Sequence, residues 1–478
     1  MYTLRLKTGE NMATLDVLTT YAKSTGFIYQ GSEIYGGLAN TWDYGPLGSL
    51  LKNNIKKAWI QRFQREFPGN VLLDSGILLN SNVWKASGHI GGFSDPLTEC
   101  ESCHQRFRAD NMISEHDHNV NPDGWTFEQM DQYIKDHKLS CPNCQKQTFM
   151  PIRAFNMMFQ TYQGVVLEQA NQIYLRPETA QGIFINFKNI QRTTRNKLPF
   201  GVCQVGKAFR NEITPGNFVF RTREFEQMEM EFFVKPGTEL EWFDYWKKAC
   251  KGFLIDLGMN PSSIKLEDHE KEALAHYSNA TTDILYQFPW GFDELWGIAS
   301  RTDFDLNAHQ EHSKENLTYL DPETNERYIP YVIEPSVGVE RLVLAFLNES
   351  LQEESLEDGD TRTVLKIHPT LSPYKVAVLP LIKKLHKDLA FELYQTLSKS
   401  FDVTYDDTQN IGKRYRRQDA IGTYFCITVD HDTESDQSVT IRYRDTMQQV
   451  RVKISELEHY IQQHIKLLNI IKFLVVHI

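Results

Sequence analysis

No stretch of the 478 residues reaches the ~18 consecutive apolar positions of a membrane span, and the opening MYTLRLKTGE lacks the apolar core of a secretory signal. The sequence therefore predicts a soluble, cytoplasmic protein with no membrane partner. An excess of positive charge is missing too. With 51 Lys and Arg against 62 Asp and Glu the net charge is −11, which excludes a chain that coats nucleic acid wholesale and confines any such contact to a local patch. Cysteine is scarce, and four of the seven fall in two Cys-x-x-Cys pairs, a usage that fits thiolate chemistry in a reducing compartment better than a disulfide framework. Fixed-period repeats and low-complexity tracts are absent as well. What is present is 41% apolar residues in a chain far longer than one core can serve, so two or more domains are expected.

Residues 348–362 (NESLQEESLEDGDTR) are acidic and poor in apolar side chains, which predicts a solvated loop. His368-Pro369 and Ser372-Pro373 then punctuate the chain, and a domain boundary is placed near Pro373. Beyond it, Lys375 to Leu381 reads as a buried strand, Leu381 to Ser400 as a helix and Phe401 to Asp406 as a second strand. A basic helix, a strand at Phe425 to Asp430 and a hairpin from Val439 to Ile454 complete a mixed α/β domain over residues 373–466. The N-terminal part opens on a helix whose Leu51, Ile55, Trp59 and Phe63 recur at i+4. Strand-like runs at Val71 to Leu73, Phe200 to Val205, Glu229 to Val234 and Tyr331 to Glu334 outnumber helices, so this part reads as α+β with a largely antiparallel sheet. It spans 1–99 and 145–372, interrupted by an insert at 100–144. Residues 467–478 form an apolar tail too short for a bilayer; this tail and residues 1–11 are both expected to be dispensable, with Met12 a second possible start.

Three constellations carry chemistry. Cys100-Glu-Ser-Cys103 and Cys141-Pro-Asn-Cys144 are two tight knuckles that together offer four thiolates for a tetrahedral zinc with no position left for water, hence a structural site. The 37 residues between them exceed a compact ribbon, so the insert must carry structure of its own, with His116 and His118 read as loop residues. Second, Phe209-Arg-Asn-Glu212 and Arg221-Thr-Arg-Glu-Phe-Glu-Gln-Met-Glu229 flank a turn at Thr214 to Asn217, so Arg210 and Arg221 could converge on a phosphate. Period-two alternation puts Glu224 and Glu226 on the face opposite Phe225 and Glu229. Third, Glu334-Pro-Ser-Val-Gly-Val-Glu-Arg341 leads into an apolar helix, and a cation in its first turn needs an anionic or π-stacking partner.

The second and third constellations resemble motifs 2 and 3 of the class II aminoacyl-tRNA synthetases. Thr41-Trp-Asp-Tyr-Gly-Pro-Leu-Gly48, Leu175-Arg-Pro-Glu-Thr-Ala-Gln-Gly182, Ser278-Asn-Ala-Thr-Thr-Asp283, Glu294-Leu-Trp-Gly-Ile-Ala-Ser-Arg-Thr-Asp303 and Ile411-Gly-Lys-Arg-Tyr-Arg-Arg-Gln-Asp419 resemble the homodimeric glycyl family within that class, from about Leu15 to about Glu458. The resemblance implies a class II antiparallel sheet flanked by helices, a zinc-knuckle insert and a C-terminal anticodon-binding domain. It implies a ligase that uses ATP and Mg2+ to turn glycine into glycyl-adenylate and then loads tRNA(Gly), working as a homodimer with a structural Zn2+. Arg210 would hold the α-phosphate and Phe225 would stack on adenine, with Arg341 on the other face or near the γ-phosphate. The implied ATP site adds Asn211, Glu212, Phe220, Arg221, Thr222, Arg223, Glu224, Leu295, Gly338, Val339 and Glu340, with Glu294 near the magnesium. The glycine site would gather Glu178, Glu229 and Glu334 around the ammonium with Ser336 beside them, and Arg108, Phe225, Glu226, Gln227, Met228, Pro335, Val337 and Gly338 around these. Lys413, Arg414, Arg416 and Arg417 form a local basic patch for tRNA. The alternative is a non-catalytic synthetase paralogue acting as a nucleic-acid-binding accessory protein. Such a chain is expected to lose the motif arginines and the ammonium carboxylates, all of which are present.

Overall fold

The computed structural model describes residues 13–465 apart from 118, 123, 166, 167, 169, 170, 272, 273, 276, 357 and 358. The terminal segments expected to be dispensable, 1–11 and 467–478, lie outside the described residues, as does His118.

A seven-stranded sheet organises the larger part. In spatial order its strands are Ile264–Asp268, Ala280–Phe288, Gly291–Thr302, Tyr331–Gly338, Glu224–Val234, Phe200–Phe209 and Val71–Leu72, antiparallel throughout except for the last pair. Alternation along Glu224–Val234 divides the side chains cleanly. Met228, Met230 and Phe232 enter the main core, whereas Gln227, Glu229 and Glu231 turn to the opposite face, where the cleft forms.

The core face is covered by the helices Pro46–Ile60, Glu239–Asp256 and Val339–Ser350. The stripe Leu51, Ile55, Trp59 and Phe63 is fully buried, and a π-helical turn over Gln61–Arg65 keeps Phe63 on it, stacked 5.3 Å from Trp59. Gly48 is needed for the helix to dock at all, since a Cβ there would lie 1.9 Å from the Phe27 carbonyl oxygen. A shorter helix, Leu15–Thr25, capped by Thr14 and ended by Gly26 at φ 85°, precedes the one expected to open this part.

The C-terminal part carries a five-stranded mixed sheet in the order Val403–Tyr405, Val376–Pro380, Phe425–Val429, Ser438–Tyr443 and Gln449–Lys453, with the helices Lys383–Leu397 and Ile411–Ala420. The acidic run at 348–362 is not a solvated loop. Its first residues finish the helix Val339–Ser350, and the rest pairs as the hairpin Leu351–Ser355 with Thr361–Leu365. Within the run, charge does much of what apolar residues do at the hairpin's base, where Leu351 pairs with the buried Leu365: Arg362 is buried and pairs with Glu354 at 2.5 Å and Asp419 at 2.9 Å. That is why its composition reads as loop.

The insert has its own small core of Ala109, Met112, Ile113, Met130, Ile134, Leu139 and Ile152. Its helices are Ala109–His116 and Phe127–Asp136, the latter started by a Thr126–Gln129 capping box. His116 ends a helix and packs on the rings of Tyr133 and His137, so it is not a loop residue.

Candidate active site

A cleft of about 270 Å³ opens on the face of the seven-stranded sheet away from the main core. Arg210, Phe220, Arg221, Phe225, Glu294 and Arg341 line one end, and Gln227, Tyr277, Thr281, Glu334 and Ser336 the other. Alternation from Trp296 sends Trp296 and Ile298 into the core and turns Gly297 and Ala299 to the cleft, with Arg301 on the same face beyond them, so much of its floor has almost no side chain.

The first end is cationic and aromatic. Arg341 donates to the Glu294 carbonyl at 2.8 Å, lies 3.2 Å from the Glu294 carboxylate and sits over the Phe220 ring, 4.3 Å from its centroid. The Arg341 guanidinium holds the Glu294 carboxyl below the ordinary glutamate range. Arg210 is steadied by the Pro177 carbonyl at 3.1 Å and lies 5.4 Å from the Phe225 centroid. Two guanidinium groups beside aromatic rings suit a polyanion that carries a flat ring.

The second end is acidic. Glu229 is buried and accepts from Ser336 Oγ at 2.7 Å, Gln227 Nε2 at 3.0 Å, the Thr179 amide at 2.9 Å and the Thr179 hydroxyl. Glu334 takes 3.2 Å contacts from Arg301, which is doubly bonded to Asp305 at 2.7 and 3.0 Å. Glu178 enters from the loop before the helix Ala180–Phe184 and meets Gln181 at 2.9 Å and His89 at 3.4 Å. Burial and the neighbouring Glu178 push Glu229 upward, and burial raises Glu334 to about 8 against the pull of Arg301. At Glu178 burial is outweighed by His89, Arg301 and Gln181, which hold its carboxyl well below the usual range. Several carboxylates around a small space, short of cations, suit a compact ammonium ligand.

Some expected site residues stand elsewhere. Glu226 and Met228 project to the other face of the sheet: Glu226 pairs with Lys52 at 2.6 Å and Lys56 at 3.0 Å, and Met228 lies in the core. Val337 and Val339 are core residues too, and Pro335 is buried between the outward-turned Glu334 and Ser336. Motif reasoning collects contiguous residues, whereas a strand delivers alternate ones. Glu224 is an exposed partner of Lys207, and Arg223 bends back onto the Ala39 and Glu212 carbonyls. Asn211 bonds Met157 through its backbone, and Arg108 pairs with Asp95 at 3.2 Å and Asp110 at 2.5 Å; neither lines the cleft. Glu212, Thr222, Leu295 and Gly338 do line it, as does Glu340, which also binds Lys52 at 2.7 Å and accepts the Glu226 amide. Sequence reasoning gave no role to Thr179, Tyr277, Gly297, Ala299 or Arg301. All but Tyr277 fall within motif blocks already singled out; plain alternation from Glu294 points to the wrong face, because a register shift between Glu294 and Trp296 resets it.

The four knuckle thiols converge, all within 4.8 Å of one another, with Cys100–Cys144 and Cys103–Cys141 separations of 3.6 Å. The sulfurs of a tetrahedral zinc site with ~2.3 Å bonds are about 3.8 Å apart, so the donor set fits that ion. The basic run is smaller than expected. Arg414 is buried and donates to the carbonyls of Pro380, Thr408 and Gln409, which removes it from any surface. Lys413 is exposed, Arg416 pairs with Asp360 and Arg417 with Asp406.

Family models for the tRNA synthetase class II core domain (G, H, P, S and T) match residues 165–350, and for an anticodon binding domain residues 375–464. Glycine--tRNA ligase of Alkaliphilus oremlandii is 58% identical over 457 residues, 95% of this chain and 99% of the relative. That of Geobacillus thermodenitrificans is 60% identical over 457 residues, 95% of this chain and 98% of the relative. Among solved structures, one described as the RNA binding domain of threonyl-tRNA synthetase from Cryptosporidium parvum Iowa II superposes with a TM-score of 0.62 at 16% identity, over 94% of this chain and 98% of that one, a likeness of fold. The resemblance carried by the motifs thus extends through nearly the whole chain, which belongs to the glycine--tRNA ligase family of class II tRNA synthetases.

Proposed function

We propose that the cleft joins glycine to ATP and then passes it to tRNA(Gly). A glycine carboxylate oxygen attacks the α-phosphorus in line, pyrophosphate leaves, and glycyl-adenylate remains; the terminal ribose hydroxyl of tRNA then attacks the acyl carbon and AMP leaves. No side chain acts as nucleophile. Arg210 meets the α-phosphate and neutralises charge that grows during attack, while Phe225 and Arg341 bracket the adenine. Glu178, Glu229 and Glu334 receive the ammonium, with Ser336 fixing Glu229. Glu294, exposed at the rim and kept ionised by Arg341, fits a magnesium ligand; bound there, Mg2+ would supply charge neutralisation on the phosphates. The observation that carries this reading is the two-ended cleft, arginines over aromatic rings at one end and, at the other, Glu334 with Glu229 and Glu178 behind it.

Zn2+ on Cys100, Cys103, Cys141 and Cys144 would be structural, since four thiolates leave no open position. Lys413, Arg416 and Arg417 would meet the tRNA backbone. A homodimer is supported by Ile34 and Tyr35, apolar side chains 88% and 86% exposed on one loop, and a cytoplasmic location by seven free thiols. ATP-dependent transfer of labelled glycine to a tRNA pool tests the reading. Wild type should charge tRNA and Arg210→Ala should lose about 100-fold or more in kcat; equal charging by that variant would remove Arg210 from the mechanism.

A further inference from the structure

Glu231 has no task in the reaction above, yet it stands directly behind the ammonium end. The register pairs Glu229 with Ser336 and Phe232 with Ile333, which sets Glu231 opposite Glu334 on the cleft face. Its side chain is fully buried, and among the described residues no N–H or hydroxyl reaches either of its oxygens. Across the register stands the Glu334 carboxyl, whose Oε2 is likewise buried without a hydrogen-bond partner among the described residues. Two carboxyls facing each other in a buried space can bond only with a proton between them.

Charge counting says where the proton sits. Four carboxyls, Glu178, Glu229, Glu231 and Glu334, crowd this end. Arg301 is matched by Asp305 and reaches Glu334 with Nη1; His89 serves Glu178. A bound ammonium matches one more, which leaves two of Glu229, Glu231 and Glu334 without a cation; of the three, Glu231 alone has no donor on either oxygen among the described residues. Burial first, then Glu334, drives its carboxyl well above the usual range.

We infer that Glu231 is held as the neutral acid and, once a bound glycine ammonium ionises Glu334, hydrogen-bonds to it, which fixes the Glu334 carboxylate with its other oxygen turned to the ammonium. Glu231 is a positioning residue, and this assignment rests on the glycine-activating reading. A charged Glu231 would be a direct ammonium ligand instead, and the two roles separate by substitution. Glu231→Gln keeps a donor of the same shape; Glu231→Leu removes it. In ATP–pyrophosphate exchange by the full-length chain, Glu231→Gln should keep a KM for glycine within about 3-fold of wild type. Glu231→Leu should raise that KM about 10-fold or more, with the KM for ATP within about 2-fold. Equal damage by both variants, or an unchanged KM in the Leu variant, overturns the assignment. Should the Leu variant fail to fold, infrared spectroscopy with glycine bound, when the ammonium holds Glu334 ionised, decides: a protonated-carboxyl C=O stretch in wild type must vanish in Glu231→Gln, and its absence from wild type overturns the inference. Wild type that shows no glycine-dependent exchange would sink the underlying reading rather than this one.

Discussion

Glu178, Glu229 and the pair Glu334 and Ser336 are far apart in sequence and converge because Glu334 and Ser336 alternate on one strand and Glu229 faces Ser336 on the next. Their motifs could be seen in the sequence; their partners could not. Arg301 and Thr179, which hold Glu334 and Glu229, lie inside motif blocks but offer no pattern of their own, because what selects them is contact across strands. Glu334 gives a signed prediction. Facing Glu178, Glu229, Glu231 and Arg301, its carboxyl titrates at about 8 in the folded chain against 4.5 for an ordinary glutamate. A raised folded value means a stability contribution that is full below about pH 4.5 and lost as pH climbs to about 8. Glu334→Gln has no such proton to lose. Its thermal midpoint relative to wild type, measured without glycine, should therefore rise from pH 5 to pH 8, while its kcat/KM for glycine falls about 100-fold. A midpoint difference flat with pH would show Glu334 ionised throughout.

Among the elements, the ones with strong periodicity were legible. The Leu51–Phe63 stripe, the C-terminal strands and the two knuckles stand where the sequence places them, since each is written in a repeat of apolar or cysteine positions. The strands Ala280–Phe288 and Gly291–Thr302 were not recognised as strands, and the hairpin at 351–365 was read as a loop. In the first pair the floor positions are Gly297 and Ala299, which dilute the apolar alternation, and in the hairpin the buried apolar residues Val364 and Leu365 lie past the acidic run, whose own buried anchor is the charged Arg362. Gly48→Ala should cost at least about 2 kcal/mol, because the methyl must displace backbone at Phe27 rather than a yielding side chain; chemical denaturation with an unchanged midpoint would contradict that docking. The thiol cluster predicts about one zinc per chain by metal analysis. The double variant Cys141→Ser, Cys144→Ser should lose the metal, and zinc retained in it would assign the ion elsewhere.

At the scale of the whole molecule, the two sheets are joined by apolar packing of Tyr374 and Ile421 on the main core and by buried polar contacts beside it. Asp419 accepts from Arg362 at 2.9 Å and Arg442 at 2.8 Å, Arg444 donates to the Ile367 carbonyl, and the Tyr21 hydroxyl donates to the Ala420 carbonyl. Asp419→Ala leaves the buried Arg442 guanidinium without its carboxylate and takes one of two from Arg362, and should cost about 3–5 kcal/mol, seen as early unfolding of the C-terminal part; a loss under about 1 kcal/mol would mean that water reaches the pair. The basic helix makes a separate claim. Neutralising Lys413, Arg416 and Arg417 together should raise the KM for tRNA and flatten its salt dependence while leaving pyrophosphate exchange intact, whereas Arg414→Ala should chiefly lower stability. An unchanged KM and salt slope in the triple variant would place the tRNA path on another surface. The most direct test of the whole is exchange between ATP and pyrophosphate run with each amino acid in turn. A floor of Gly297 and Ala299 under three carboxylates predicts that glycine alone supports exchange at full rate, with alanine and serine lower in kcat/KM by about 100-fold or more; comparable exchange with alanine or serine, or none with glycine, would contradict it.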